Sequence, residues 1–214
     1  PFIGSGGLGY GYGGISPAAS FPRGALRLGP DTASSLADTG FQHFSGYFYE
    51  DSMVRMFSHT HYVGAGINGL GAFGVMPSRK PEARDLNSLQ AALRKDHQDN
   101  KGKSRLWWSK MDKASEMAHP GFYQVTLSDS EVTAQMVATS RLTAIHRYTW
   151  EQQQDAQSAS GPRLIIDLLH GSHLEDAIDD PDRLAKLTVA GDGASFSGSF
   201  VAGPGGTVTY IYGE

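Results

Sequence analysis

Residues 124–150, QVTLSDSEVTAQMVATSRLTAIHRYTW, change side-chain character with a period of two, and that constrains the fold more than any other feature of the chain. Val132, Ala134, Met136 and Ala138 alternate with Thr133, Gln135, Val137 and Thr139. A helix would gather its apolar residues every third or fourth position, whereas a strand half-buried on a sheet needs every second one. Leu127-Ser128-Asp129-Ser130 supplies the turn into this strand. After Ser140-Arg141 the alternation resumes through Leu142, Ala144, His146 and Tyr148, so the two runs predict adjacent antiparallel strands.

The same signals recur along the chain. Arg163 to Leu169 is a short, nearly continuous apolar run, as expected of a strand buried on both faces. Residues 195–212 read as a closing hairpin around Gly203-Pro204-Gly205-Gly206, and Val54 to Val63 and Ala72 to Met76 read as further strands. Residues 81–104 differ: they are polar, with Leu86, Leu89, Ala92 and Leu93 near helical spacing, and predict a partly helical excursion. Glu151 to Pro162 reads as a polar loop. The expected class is all-β, one large antiparallel β-sandwich over residues 1–214.

Composition removes whole classes of function. The 22 acidic residues outnumber the 18 Lys and Arg, so no basic face for nucleic acid is expected. There is no cysteine, which excludes thiol nucleophiles, disulfide frameworks and cysteine-bound zinc. No apolar run approaches the roughly 18 residues of a membrane span. The chain begins on Pro1 without a Met, which is expected of a processed product or a piece of something longer. Ser, His and Asp are all present, but the G-x-S-x-G elbow of a hydrolase nucleophile is absent.

The first residues, PFIGSGGLGYGYGGISP, contain G-x-G-x-x-G at Gly4-Ser5-Gly6-Gly7-Leu8-Gly9. A dinucleotide cradle needs a strand before this motif and a helix after it. Here only Pro1-Phe2-Ile3 precede it, and more glycine and a proline follow, so the phosphate reading fails on context. A glycine loop has another use: without Cβ atoms, backbone N–H groups can come close to a ligand hydroxyl. A tight turn packing on its own domain remains the plain alternative.

Several blocks together carry a resemblance. They are Ile3-Gly4-Ser5-Gly6-Gly7, then Pro17, Ala18, Pro22, Gly24, Leu28 and Pro30-Asp31-Thr32. Ser45-Gly46-Tyr47, Tyr49, Asp51, Phe57-Ser58-His59-Thr60-His61 and Gly64-Ala65-Gly66 follow, with HPGFYQVTL and TAQMVATSRLTAIHRYTW later in the chain. In order and spacing this resembles the N-terminal half of glycoside hydrolase family 92, across essentially the whole chain. The resemblance implies an α-mannosidase that inverts the anomeric carbon and requires calcium, acting on a mannose-containing glycan. It implies an N-terminal β-sandwich joined to a C-terminal helical barrel, with the substrate held between them. An inverting glycosidase sets its acid and base about 6.5–9.5 Å apart. The family keeps those carboxylates and the calcium ligands in the helical domain, so no catalytic residue is expected in this chain.

The resemblance also implies which residues face the sugar: the loop Gly4, Ser5, Gly6 and Gly7, and the aromatic and histidine face around Phe41, His43, Tyr47, His59 and His61. Where the family often carries WDWCSGY, this chain has Phe41-Gln42-His43-Phe44-Ser45-Gly46-Tyr47, so any platform for the leaving sugar has another shape. His59 and His61, two apart, would share a face if strand-bound. A metal would need a third ligand from His43, His119, His146, His170 or His173, and no spacing favours one of them. Hydrogen-bonded structural or sugar-facing histidines are therefore expected, and no metal site.

Trp107-Trp108 is expected to pack in the core, and the acidic stretch from His173 to Arg183 to be a solvated loop, since it lacks the order of a calcium loop. Family analogy places the protein in an extracellular or secretory compartment. Two rival readings stay open: a glycan-binding module without chemistry, and a structural or assembly protein built on the same sandwich.

Overall fold

The computed structural model describes residues 2–7, 14–33, 43, 45–61, 63, 73–79, 107–151, 161–167, 170, 185–191, 196–202 and 207–213. The excursion at 81–104, the loop at 152–160, the acidic stretch at 173–183, Phe41 and the hairpin tip at 203–206 lie outside them. The described chain is almost entirely antiparallel β-structure.

The strands are β1 (Ala19–Ser20), β2 (Arg27–Ala33), β3 (Met53–Ser58), β4 (Gly74–Ser78), β5 (Ser109–His119), β6 (Phe122–Leu127), β7 (Val132–Ala138), β8 (Ala144–Trp150) and β9 (Arg163–Asp167). They form one sheet in the order β1-β2-β3-β5-β6-β7-β8, with β4 also paired to β3 and β9 paired to β4. The sheet folds over on itself: β1 and β2 lie against β6 and β7, and β4 lies against β7. That gives the two layers of the sandwich. Separately, β10 (Ala185–Val189), β11 (Phe196–Ala202) and β12 (Thr207–Gly213) form a three-stranded antiparallel sheet. Its β11–β12 hairpin is the closing hairpin expected from sequence.

Between the layers sits a core of Leu28, Val54, Met56, Phe57, Met76, Trp108, Tyr123, Val125, Leu127, Val132, Ala134 and Met136. On β7 the alternation holds as expected, with Val132, Ala134, Met136 and Ala138 buried and the residues between them more exposed. Opposite them, β8 turns Ala144, His146, Tyr148 and Trp150 inward, in register with Ala138, Met136, Ala134 and Val132. Leu142 does not join that face; it lies in the turn, 74% exposed, where Ser140 and Thr143 bond to each other and leave it in solvent.

Other strand expectations need correction. The described part of the Arg163 run, β9, is not buried on both faces: among the described residues it pairs with β4 alone, and Leu164 is 52% exposed. The Val54 strand stops at Ser58, so His59 and His61 are not on it. Trp107 and Trp108 precede β5, and both are buried.

Candidate functional site

The expected site residues fall into one continuous patch and an interior polar network behind it. The patch begins at the glycine loop. Phe2 O accepts bonds from both Ser5 N (3.2 Å) and Ser5 Oγ (2.7 Å), which closes a tight turn. Gly4 lies at φ +84° and Gly7 at φ +108°, conformations that glycine adopts without strain. The loop is pinned to the Tyr49–Asp51 turn by Tyr49 N donating to Ser5 O (2.9 Å) and Gly7 N donating to Glu50 Oε1 (3.0 Å). Gly6 has to be glycine for a packing reason: a Cβ there would collide with the Glu50 carboxylate and lie 2.7 Å from Tyr49 Cβ. Thus the loop is docked on its own domain, while the backbone of Gly4 and Gly7 remains exposed at its rim.

Aromatic surface adjoins this loop. Phe2 packs its ring near Tyr47 (6.4 Å) and Tyr49 (5.7 Å), and Tyr49 keeps 46% of its surface exposed. From the preceding turn, closed by Gly46 N donating to His43 O, His43 donates Nε2–H to Asp51 Oδ2 at 2.5 Å, with both side chains buried. Its Nδ1 has no hydrogen-bond partner among the described residues. That nitrogen is itself buried, so the ring lies beneath the surface rather than on it.

Tyr47 points inward from this patch onto a charged cluster that sequence reasoning missed. Its hydroxyl donates to Glu116, whose oxygens lie 2.9 and 3.1 Å away, and accepts from Lys113 Nζ (2.9 Å). Glu116 also accepts from Tyr123 (2.7 Å) and pairs with Lys113 (2.6 Å). Burial, then the neighbouring Glu116 carboxylate, push the Tyr47 and Tyr123 phenols far above their ordinary range. Lys113 lies 5.1 Å from the Tyr47 ring and 4.5 Å from the Tyr49 ring, within cation–π range. Lys113 and Glu116 reach Tyr47 because the β5–β6 register breaks between Asp112 and Met117. Ser115 fills that break, its Oγ accepting from Thr126 N and donating to Asp112 O.

Behind the patch, His61 and His59 diverge. Nδ1–H of His61 donates to the Arg27 carbonyl (2.8 Å), and Nε2–H donates to Asp31 Oδ1 (2.9 Å). A carbonyl and a carboxylate can only accept, so the ring is doubly protonated. Burial opposes that charge, but the attraction and hydrogen bond of Asp31 outweigh it and raise the His61 pKa. Asp31 in turn is held well below the usual carboxylate range: burial pushes it up, and the pull of His61 with the hydrogen bonds of His170 and His61 overcomes that. His170 Nε2 donates to the other Asp31 oxygen at 2.5 Å.

His59 instead stacks on Phe73 (3.9 Å) and donates Nδ1–H to its carbonyl (3.0 Å). Its Nε2 then accepts from His146 Nε2–H (2.9 Å), and His146 Nδ1 accepts from the Tyr148 hydroxyl (2.8 Å). This chain of bonds needs both imidazoles neutral. Burial accordingly lowers His59 to about 4 and His146 to about 3, with the proximity of His59 adding to the effect at His146.

Gly4, Ser5, Gly6, Gly7, His43 and Tyr47 therefore share one patch; His61 reaches it from beneath, and His59 bonds elsewhere. Phe41 lies outside the described residues. Among those residues no group of three or more His, Asp or Glu could hold a metal ion. The signal that would have found Asp31 is the glycine in Ser45-Gly46-Tyr47, because Gly46, at φ +80°, leaves the space that the carboxylate fills.

A profile of the glycosyl hydrolase family 92 N-terminal domain matches residues 1–214. The fold resembles that of a family 92 α-mannosidase from Bacteroides thetaiotaomicron, with TM-score 0.65 and 23% identity over 99% of this chain and 24% of that one. The structure of that mannosidase with mannoimidazole matches with TM-score 0.66, 22% identity, 99% of this chain and 23% of the other. A family 92 inverting mannosidase from Bacteroides thetaiotaomicron VPI-5482 matches with TM-score 0.60 and 16% identity over 92% of this chain and 21% of that one. The chain thus spans about a quarter of the length of these solved structures. A comparison with curated proteins finds no significant match.

Proposed function

We propose that this chain, which belongs to the glycosyl hydrolase family 92 N-terminal domain family, is the sandwich portion of an α-mannosidase and forms one wall of its sugar site. The observation that carries this reading is the docking of the Gly4–Gly7 loop on the turn that bears Tyr49, Glu50 and Asp51, the last of which holds His43. An exposed aromatic ring and backbone free of side chains are groups that bind carbohydrate: the ring covers C–H faces and the backbone takes hydroxyls. His43, its ring held by Asp51, supports that surface from beneath.

The chemistry of the proposal lies in the helical domain expected beyond this chain. An inverting mechanism would place its acid and base there, with water between them. Calcium belongs to that domain as well. The described residues of this chain do not fit it: calcium asks for six to eight oxygen ligands, and both oxygens of buried Asp31 are already taken by imidazoles. In this proposal the sandwich binds and orients the glycan and closes one side of the site. A secretory or surface location remains part of the proposal by analogy alone.

The test is steady-state hydrolysis of α-mannosides by the full-length protein. Gly6→Val is expected to raise KM, because its side chain displaces Glu50 and Tyr49, and Tyr49→Ala to raise it by about tenfold at the cost of a ring contact. Unchanged KM in both variants would remove the sugar-facing role. Chelation followed by calcium readdition would test the metal requirement of the whole enzyme.

A further inference from the structure

Gly46 is held from both sides. Its carbonyl accepts from Thr32 N (2.8 Å), and its own N–H donates to the His43 carbonyl (2.9 Å). Two residues on, Phe48 N donates to Thr32 Oγ1 (2.9 Å). The turn carrying His43 and Tyr47 is therefore laced to β2 at the residue directly after Asp31. Against the face where Gly46 has no side chain lie the Asp31 carboxylate and the His61 ring; an added Cβ would collide with Asp31 Oδ1 and lie 2.9 Å from His61 Cδ2.

We propose that Asp31 is a positioning residue, which through His61, His170 and the bare backbone of Gly46 sets the Ser45–Tyr47 turn and so the placement of His43 and Tyr49 at the candidate sugar site. The inference rests on the mannosidase reading given above. Asp31 is buried, so it touches no sugar itself. Its two oxygens receive N–H groups from residues that follow β3 and β9, joining three segments far apart in sequence. Such a hub needs an acceptor at both positions. Asparagine removes the negative charge that holds His61 doubly protonated and offers one oxygen and one NH2, so one imidazole has to give up its Nε2–H to accept from it. Weakening that charged pair loosens the Asp31 and His61 groups that pack against Gly46.

A hub that merely stabilised the sandwich would act on the whole fold. A positioning hub acts on the turn, and the two are separable. In the full-length protein, Asp31→Asn is expected to raise KM for an α-mannoside about tenfold while kcat changes less than about twofold. Amide exchange at residues 45–48 should speed up while β6 and β7 keep their protection. His61→Gln, which retains a donor toward Asp31, should shift KM in the same direction by less, and it carries the test alone if Asp31→Asn does not fold. An unmoved KM, or exchange that rises across β6 and β7 as much as at the turn, overturns the proposal. If the unmodified protein neither cleaves nor binds the mannoside, the mannosidase reading fails, and the exchange comparison still decides whether Asp31 sets the turn.

Discussion

Three buried histidines, His59, His61 and His146, are read differently by their surroundings, and pH separates them. His59 and His146 are buried and neutral, lowered to about 4 and about 3. In the unfolded chain they take up protons below about pH 6.5, whereas the folded chain resists. Folding stability therefore falls as pH drops from about 6.5, and the loss levels off near the folded values. His61 acts in the opposite sense: its raised pKa adds stability that is complete below its ordinary value and is lost as pH rises through the raised one. Asp31, lowered, adds stability that is lost only in strong acid, below the ordinary carboxylate range. Tm measured from pH 8 to pH 4 should fall on the acid side, and His146→Gln should flatten that fall. An acid limb unchanged in the variant would show that the His59–His146 pair does not carry it.

At the scale of the element, β5 is the strand that bends to a purpose. Its break between Asp112 and Met117 turns Lys113 and Glu116 onto Tyr47, joining a strand of the core to the turn of the candidate site. Glu116→Ala would leave the buried hydroxyls of Tyr47 and Tyr123 without their acceptor, at about 1–3 kcal/mol for each group. Glu116→Gln keeps an acceptor and should cost less; urea unfolding of the two variants side by side checks the order. Sequence reading did not find this cluster. Ser109–His119 has no clean alternation, because the extra residues of a bulge interrupt the period that identifies a strand. By contrast β7 and β8 were legible, since every second residue enters one continuous core.

For the whole molecule, the energetic weight lies between the layers. Trp108, Phe57, Met56, Met136 and Tyr123 are fully or almost fully buried there. Trp108→Ala is expected to cost about 3–5 kcal/mol and Met136→Ala about 2–5 kcal/mol, as core truncations do. A smaller loss on urea unfolding, near that of a surface change, would mean the two layers do not share this core. The same closure of one layer on the other brings His61, three residues beyond β3, and His170, three residues beyond β9, onto Asp31 of β2.

By itself the sequence determined the all-β class, the clearest strands, the glycine at the docked loop and, through ordered blocks, the family to which the chain belongs. These are local or linear properties: a period of two, a residue without a Cβ, a spacing of motifs. Tertiary structure alone decided which histidine meets which acid. His59 and His61 stand two apart, yet one bonds to His146 and the other to Asp31, because the chain leaves the strand at Ser58 and the two rings meet different segments. Spacing along the chain carries no record of such partners: the pairings join residues 87, 30 and 139 positions apart, and they exist only once the sheet has folded over its core.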